Sequence, residues 1–297
     1  LTTATSHKLD KWGAANQKAS GRCWIFAGLN SLRGGIMDRT NTKDFELSQT
    51  YLYFYDKLEK ANWFLTAVDE LKDREITDRT LTKLMDDPIG DGGQWSMFVS
   101  LVEKYGVVPK YAMPETASSE ASAMLNRNLQ TVLRRAAHQI RVGKSGAQEQ
   151  ALADVYRILT ANLGLPPTDF QWQYRDKDDN FHREGTFTPQ DFAREYLPKD
   201  LGEYVCVVND PRNNYGELYT VDYLGNVVGE KVTYLNAPVE VLRDATRSAI
   251  EDGQPVWFGC DTGQQSDADS GVWAKRLHDY EGLYGVERGI EKPDRLR

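Results

Sequence analysis

The stretch Asn16-Gln17-Lys18-Ala19-Ser20-Gly21-Arg22-Cys23-Trp24-Ile25-Phe26-Ala27 decides the fold and the chemistry of this 297-residue chain. From Cys23 onward, apolar side chains recur at the spacing of one helix face, namely Ile25, Phe26, Leu29 and Leu32. The predicted helix therefore begins at Cys23. A helix start offers unpaired amide N–H groups and the positive end of the helix dipole, which favour an anion such as a thiolate.

Two residues that precede Cys23 fit the same chemistry. Gly21 allows the backbone to turn tightly before the helix. Gln17 offers a neutral side-chain N–H donor for the oxyanion that forms when a thiolate attacks a carbonyl. Together with Cys23 they predict the first half of a thiol acyl-transfer site.

The other cysteines, Cys206 and Cys260, end or interrupt apolar runs and are interpreted as buried core thiols. An odd number of cysteines without a CxxC pair, and without a cationic and apolar signal peptide before them, favours a reducing cytoplasm. Neither Cys206 nor Cys260 has a partner at metal-ligand spacing, so we predict no metal site. The lack of a resolving cysteine near Cys23 also weakens an alternative function as a redox thiol protein.

The composition excludes several classes of protein. A formal net charge of -8 disfavours nucleic acid and anionic membranes as partners, and 40% hydrophobic residues are typical of a globular protein. No segment is apolar for long enough to cross a bilayer. The densest basic cluster, Arg134, Arg135, Arg141 and Lys144, is interpreted as a solvated helix face or a subunit contact.

Periodicity divides the chain into three segments: an α-rich segment 1–120, a helical insertion 121–202 and a β-rich segment 203–297. Helices are predicted over 23–32, 46–58, 94–105, 121–141, 148–163, 189–196 and 238–251. Strands are predicted over 204–208, 217–223, 227–234 and 256–259, the last of them buried.

Further motifs indicate a family. A glutamine six residues before a cysteine that is followed by tryptophan resembles the papain superfamily of cysteine peptidases. The resemblance narrows to the bleomycin hydrolase and aminopeptidase C branch. That branch is indicated by Ser20-Gly21-Arg22-Cys23-Trp24, Phe45-Glu46-Leu47-Ser48-Gln49, Asp91-Gly92-Gly93-Gln94-Trp95, Tyr105-Gly106-Val107-Val108-Pro109 and Pro255-Val256-Trp257-Phe258-Gly259-Cys260-Asp261.

The resemblance implies an α+β papain-like fold with a long helical insertion and a β lobe that is incomplete in this chain. It implies that Cys23 is the nucleophile and Gln17 the oxyanion donor. Substrate-binding residues would be Gly92 and Gly93, whose backbone pairs with the peptide, together with Trp24 and Asp91. The implied protein is a cofactor-free aminopeptidase with broad side-chain tolerance that acts on peptides as a homohexamer.

The family's catalytic histidine and asparagine have no counterpart among these 297 residues, so we expect that half of the site to lie outside them. The four histidines, His7, His138, His182 and His278, stand in polar or charged surroundings that do not match the histidine motif. Since the leaving amine needs a proton from that histidine, the chain by itself is expected to be a poor catalyst. The alternative is a non-catalytic assembly or regulatory fragment of such a peptidase.

Overall fold

The computed structural model describes residues 4–9, 12–260, 266–274 and 277–286. These residues form two compact units, of which the first is Leu1–Cys206 with Tyr219–Tyr234 and the second is Val207–Leu218 with Leu235–Arg297. The predicted segments 1–120, 121–202 and 203–297 divide the chain by element type, not by compactness, and stay a prediction.

Eight α-helices of the first unit position the site. They are α1 (Cys23–Thr40), α2 (Gln49–Glu70), α3 (Arg79–Asp86), α4 (Trp95–Tyr105), α5 (Ala117–Glu120), α6 (Ala123–Arg141), α7 (Ala147–Leu163) and α8 (Pro189–Tyr196). The helices predicted from periodicity are therefore confirmed, whereas α3 and α5 were not predicted. The helix expected from residue 46 begins only at Gln49, because Ser48 is extended and its hydroxyl accepts a hydrogen bond from Tyr51 N at 3.0 Å as an N-cap.

Helix α2 is the centre of the first unit, where it contacts α1, α4, α6 and α7. Its residues are buried on almost every side, including the fully enclosed aromatic side chains of Tyr53 and Phe54. A helix enclosed in this way is a core helix, so any charged residue within it must find partners inside the protein. Four charged residues of α2 are buried: Glu59 pairs with Lys104, whereas Asp56, Lys57 and Lys60 find their partners next to the candidate site.

A β-hairpin lies within the segment that was predicted as a helical insertion. Strands β1 (Phe170–Arg175) and β2 (Phe181–Phe187) pair antiparallel, with Phe170 opposite Phe187 and a register shift after Trp172. Trp172 is buried and packs edge-on against Phe192 of α8 at a centroid distance of 5.1 Å. The alternation of Phe170, Trp172 and Tyr174 with polar residues is the strand signal that the helical interpretation missed.

The region after residue 203 contains less strand than predicted, although each of the strands predicted over 204–208, 217–223 and 227–234 is present in part. A three-stranded sheet is formed by β3 (Val207–Val208), β4 (Leu218–Thr220) and β5 (Thr233–Asn236), in the order β3-β5-β4, with β3 parallel to β5. Residues 221–232 form turns instead. Within them, the buried Asn226 donates to Met97 O of α4 at 3.1 Å, and Val232 is buried, so the β-branched residues fill core space in place of sheet pairing.

The second unit holds α9 (Val239–Glu251), a hairpin of β6 (Ser266–Asp267) and β7 (Val272–Trp273), and α10 (Tyr280–Tyr284). Helix α9 is confirmed and is followed by Gly253 at φ +78°. The buried strand predicted over 256–259 is wrong, since Phe258 is 66% exposed. A strand needs a neighbouring strand, and none in the described part of the chain runs beside this segment. Consequently Cys260 is exposed and is not a core thiol.

Candidate active site

The loop that precedes α1 is folded back by its own polar groups. Lys18 adopts a left-handed conformation with φ +55°, and its amide donates to Asn16 Oδ1 at 2.8 Å. The Ser20 hydroxyl donates to Gln17 O at 2.7 Å. The side-chain amide of Gln17, half-buried, makes no hydrogen bond to any described residue and is therefore available to an oxyanion.

We expect Lys18→Gly to raise the free energy of unfolding by about 0.5–1 kcal/mol, because a left-handed conformation is strained for lysine and not for glycine. Urea denaturation followed by tryptophan fluorescence measures the change. Lys43→Gly is the matched control, since Lys43 is equally exposed but has a negative φ, and it should be neutral or destabilising. If both variants lower the free energy of unfolding, the left-handed conformation of Lys18 is not strained.

Cys23 is the first residue of α1, and its thiol is exposed while the next three side chains, Trp24, Ile25 and Phe26, are buried. The first intrahelical hydrogen bond runs from Phe26 N to Arg22 O at 3.1 Å. The amide of Cys23 thus lies ahead of that ladder and donates to no backbone acceptor of the described residues. The sequence prediction of a thiol at a helix start is confirmed.

The glycine strip Gly92–Gly93 is tied to α1 through Trp24. The indole Nε1 of Trp24 donates to Asp91 O at 2.6 Å. Gly93 lies so close to the same indole that a Cβ would approach its ring to 2.6 Å, which is why the position needs glycine. Gly92 is exposed, and a Cβ there would meet nothing within 4 Å.

Arg22 fixes the other side of the nucleophile loop. Although its side chain is 0% exposed, it forms a bidentate ion pair with Glu115 at 2.8 and 3.1 Å and donates to Ser20 Oγ at 2.9 Å. Its guanidinium also lies over the rings of Phe26 and Tyr53, at 5.0 and 5.2 Å. A buried charge is tolerated only with this degree of pairing.

Asp91 is the most heavily bonded side chain of the site. Its Oδ2 accepts from Gly21 N at 3.0 Å and from the Ser122 hydroxyl at 2.6 Å. Its Oδ1 accepts from Tyr53 at 3.0 Å and Asn126 at 2.7 Å, and pairs with Lys57 at 2.7 Å. Burial opposes ionisation, but the attraction to Lys57 and these hydrogen bonds outweigh it and hold the pKa of the Asp91 carboxyl well below its usual value.

Two lysines of α2 bind the main chain next to Asp91. Lys57 donates to Ile89 O at 2.7 Å and to Gly90 O at 3.1 Å, and Lys60 donates to Gly90 O at 2.9 Å and to Gly92 O at 2.6 Å. Burial lowers the pKa of Lys57 to about 8, which leaves it protonated at neutral pH. The side chain of Lys60 also pairs with the buried Asp56 at 2.7 Å.

The structure brings the predicted residues Cys23, Trp24, Asp91 and Gly93 into one connected site, with Gln17 on its loop. Sequence reasoning missed the supporting residues Lys57, Lys60, Glu115, Ser122 and Asn126. A signal for two of them was present, because Lys57 and Lys60 are three residues apart in a helix otherwise rich in aromatic and apolar residues.

The remaining thiols and histidines have other surroundings. Cys206 is half-buried, and burial raises the pKa of its thiol, although a hydrogen bond with Ser96 opposes that shift. His182 pairs with Asp176 at 2.9 Å and stacks on Tyr174 at the tip of the β1–β2 hairpin. Within the described ranges, no His, Cys, Asp or Glu side chains cluster as a metal site would require, and no helix is long and apolar enough to cross a membrane.

Cys23 is expected to react with iodoacetamide about tenfold faster than Cys260 and faster still than Cys206, because the helix start stabilises its thiolate whereas burial suppresses that of Cys206. Peptide mass spectrometry after timed alkylation gives all three rates in one sample. Cys260 serves as the internal control, since it is also exposed but does not lie at the start of a helix. Equal rates at Cys23 and Cys260 would contradict this assignment.

An exposed thiol at the start of a buried helix, beside a glycine strip and after a glutamine-bearing loop, is the arrangement that the sequence predicts for a papain-like cysteine peptidase. The comparisons with known proteins agree. The model of the Peptidase C1-like family matches residues 1–297. The chain belongs to the Peptidase C1-like family.

Relatives resemble the chain over nearly its whole length. Aminopeptidase C of Listeria monocytogenes is 42% identical over 98% of this chain and 68% of the relative. Bleomycin hydrolase of Homo sapiens is 41% identical over 95% of this chain and 66% of the relative. The crystal structure of PepW from Lactobacillus rhamnosis matches with a TM-score of 0.93 at 40% identity, over 99% of this chain and 69% of that one. The chain thus spans about two thirds of the length of these proteins.

Proposed function

We propose that this chain is the thiol-bearing part of a cysteine aminopeptidase that removes amino-terminal residues from peptides. The observation that carries the proposal is the exposed Cys23 at the start of α1, tied through Trp24 to the strip Gly92–Gly93. The name aminopeptidase C supports both the peptide substrate and the attack at its amino end, and the name bleomycin hydrolase supports a hydrolytic reaction.

In the proposed reaction, the Cys23 thiolate attacks the carbonyl carbon of the first peptide bond. The amide of Cys23 and the side-chain amide of Gln17 donate hydrogen bonds to the resulting oxyanion. As the C–N bond breaks, the departing amine takes a proton from a histidine that the family resemblance places outside these residues. Water then attacks the thioester and regenerates the thiol.

The glycine strip would hold the substrate by its backbone. Gly92 O already accepts a hydrogen bond from Lys60. The N–H of Gly92 and both main-chain groups of Gly93 make no hydrogen bond within the described structure, and they are the groups left for a peptide. Backbone pairing does not depend on the substrate's side chain, which is consistent with broad side-chain tolerance.

The assembly and the location are also proposals. Family resemblance supports a homohexamer with its active sites facing an internal channel. Three free cysteines, two of them exposed, support a reducing compartment such as the cytoplasm.

Reconstitution tests the proposed function. The chain is mixed with a separately expressed C-terminal remainder that carries the family's histidine and asparagine, and release of a fluorophore from aminoacyl amides is measured. We expect hydrolysis of substrates with a free amine, little hydrolysis of their N-acetylated forms, and none with Cys23→Ala. Stable oligomers that never hydrolyse either substrate would instead favour a non-catalytic assembly fragment.

A further inference from the structure

The carboxylate of Asp91 joins three separate parts of the first unit. It bonds to the loop before Cys23 through Gly21, to α2 through Tyr53 and Lys57, and to the beginning of α6 through Ser122 and Asn126. An ionised carboxylate offers about four lone-pair sites, and five donors already surround this one. The hydrogen-bond acceptor sites of the Asp91 carboxylate are thus occupied by groups of the protein, which argues against direct contact with substrate.

The main chain of Asp91 adds a tie on the other side of the nucleophile. Its carbonyl accepts from Trp24, which follows Cys23, while its carboxylate accepts from Gly21, two residues before Cys23. Gly21 approaches so closely that a Cβ would lie 2.7 Å from Cβ of Asp91. The residue therefore contacts the chain on both sides of the thiol, and the strip Gly92–Gly93 follows it directly.

The lysines of α2 prevent this segment from turning. With Lys57 and Lys60 bound to the carbonyls of Ile89, Gly90 and Gly92, rotation of a peptide unit there would break a hydrogen bond to a charged donor. The direction in which Gly93 presents its main chain is thus set by α2.

Residues on both sides of the start of the helical insertion contact the loop before Cys23 or Asp91. Ala19 N donates to Glu120 O at 2.9 Å, and Glu115 pairs with Arg22. Ser122 and Asn126 then reach Asp91 from the first turn of α6 and the residue before it. Residues 115–126 therefore contact both the nucleophile loop and the residue that precedes the strip.

We propose that Asp91 is a positioning residue whose carboxylate holds the glycine strip and the loop before Cys23 at a set separation, with α6 contributing through Ser122 and Asn126. The inference rests on the proposed roles of Cys23 and Gly92–Gly93. It gives the helical insertion a part in shaping the site. A displacement of the strip by about 1 Å would weaken productive binding substantially without altering the thiol.

Two alkylating agents, applied to the chain after it has been mixed with the C-terminal remainder, separate positioning from general damage. The rate at which iodoacetamide labels Cys23 depends on its thiolate and not on binding at the site. The rate of labelling by an aminoacyl chloromethyl ketone with a free amine depends in addition on binding beside the strip Gly92–Gly93. In the latter, the Cys23 sulfur bonds to the methylene carbon as the C–Cl bond breaks and chloride leaves. The measured quantity is the ratio of the two labelling rates at Cys23, with the saturation constant for the ketone.

For Asp91→Asn we expect the ketone rate to fall about tenfold through a weaker saturation constant, while the iodoacetamide rate stays within about twofold. Asn126→Ala keeps the Lys57–Asp91 ion pair and therefore the fold, and should lower the ketone rate about threefold. The matched control is Asp78→Asn, because Asp78 caps α3 by accepting from Thr80 N and Leu81 N. It should change neither rate.

The outcomes distinguish the two levels of the proposal. If the unsubstituted chain shows no saturable reaction with the ketone, the proposed function fails. If it does, but Asp91→Asn and Asn126→Ala leave the ratio unchanged or slow both agents equally, the positioning role is wrong. Circular dichroism and the urea midpoint of each variant show whether it is folded. If Asp91→Asn is not folded, the labelling rates of Asn126→Ala test the positioning role.

Discussion

In the reconstituted enzyme, Gln17→Ala is expected to lower kcat about 100- to 1000-fold, the loss that follows removal of one oxyanion donor. The side-chain amide of Gln17 bonds to no described residue, so the substitution removes no hydrogen bond within the described part of the chain. The loss should therefore appear in kcat, with KM and the urea midpoint little changed. Stopped assays with a fluorogenic aminoacyl amide measure both kinetic parameters.

Two further variants sharpen this prediction. Gln17→Glu puts a negative charge where the oxyanion forms and should reduce kcat at least as much as alanine does. Gln190→Ala, at an exposed position of α8, is the matched control and should leave both parameters unchanged. A Gln17→Ala enzyme that keeps its kcat, or loses only affinity for substrate, would show that Gln17 does not bind the oxyanion.

Arg22→Met is expected to lower the free energy of unfolding by about 3–5 kcal/mol, because it leaves Glu115 without its partner in a largely buried position. Chemical denaturation with urea measures the loss. The same substitution at Arg194, whose ion pair with Asp191 is exposed, should cost less than about 1 kcal/mol and is the matched control.

The double variant Arg22→Met/Glu115→Leu identifies the cause of the loss. Replacing both charges with apolar side chains removes the unpaired carboxylate, so the double variant should regain more than about half of the lost stability. Arg22→Lys keeps the charge but not the bidentate geometry, and should lie between the two. If the double variant is no more stable than Arg22→Met, the contact of the Arg22 guanidinium with the rings of Phe26 and Tyr53 accounts for the loss instead.

Local sequence was sufficient for most of the helices and for the place of the thiol. The start of α1 at Cys23 follows from the apolar spacing after it, and α8 begins after Thr188 because that side chain caps Asp191 N at 3.1 Å. Caps and helical periodicity depend on neighbours within one or two turns, which the sequence displays directly.

Strand predictions failed where the environment was not local. Residues 256–259 and 227–232 have the β-branched and aromatic composition of strands, yet the former are partly exposed without a neighbouring strand among the described residues and the latter form turns in the first unit. β-propensity records how a side chain fits its cross-strand neighbours, so composition alone does not decide whether such neighbours exist.

The sequence by itself determined that Cys23 begins a helix, that Gln17 and Gly21 precede it at useful spacings, and that glycines occur at 92 and 93. Only the tertiary structure decided how these pieces are held together. The ties to Asp91 come from Gly21, Lys57 and Ser122, which are 70, 34 and 31 residues away along the chain. Sequence patterns extend over one or two helix turns, so they do not predict contacts between residues this far apart. The contact with Lys57 arises because α2 is a core helix, and a charged residue buried there has to be paired inside the protein.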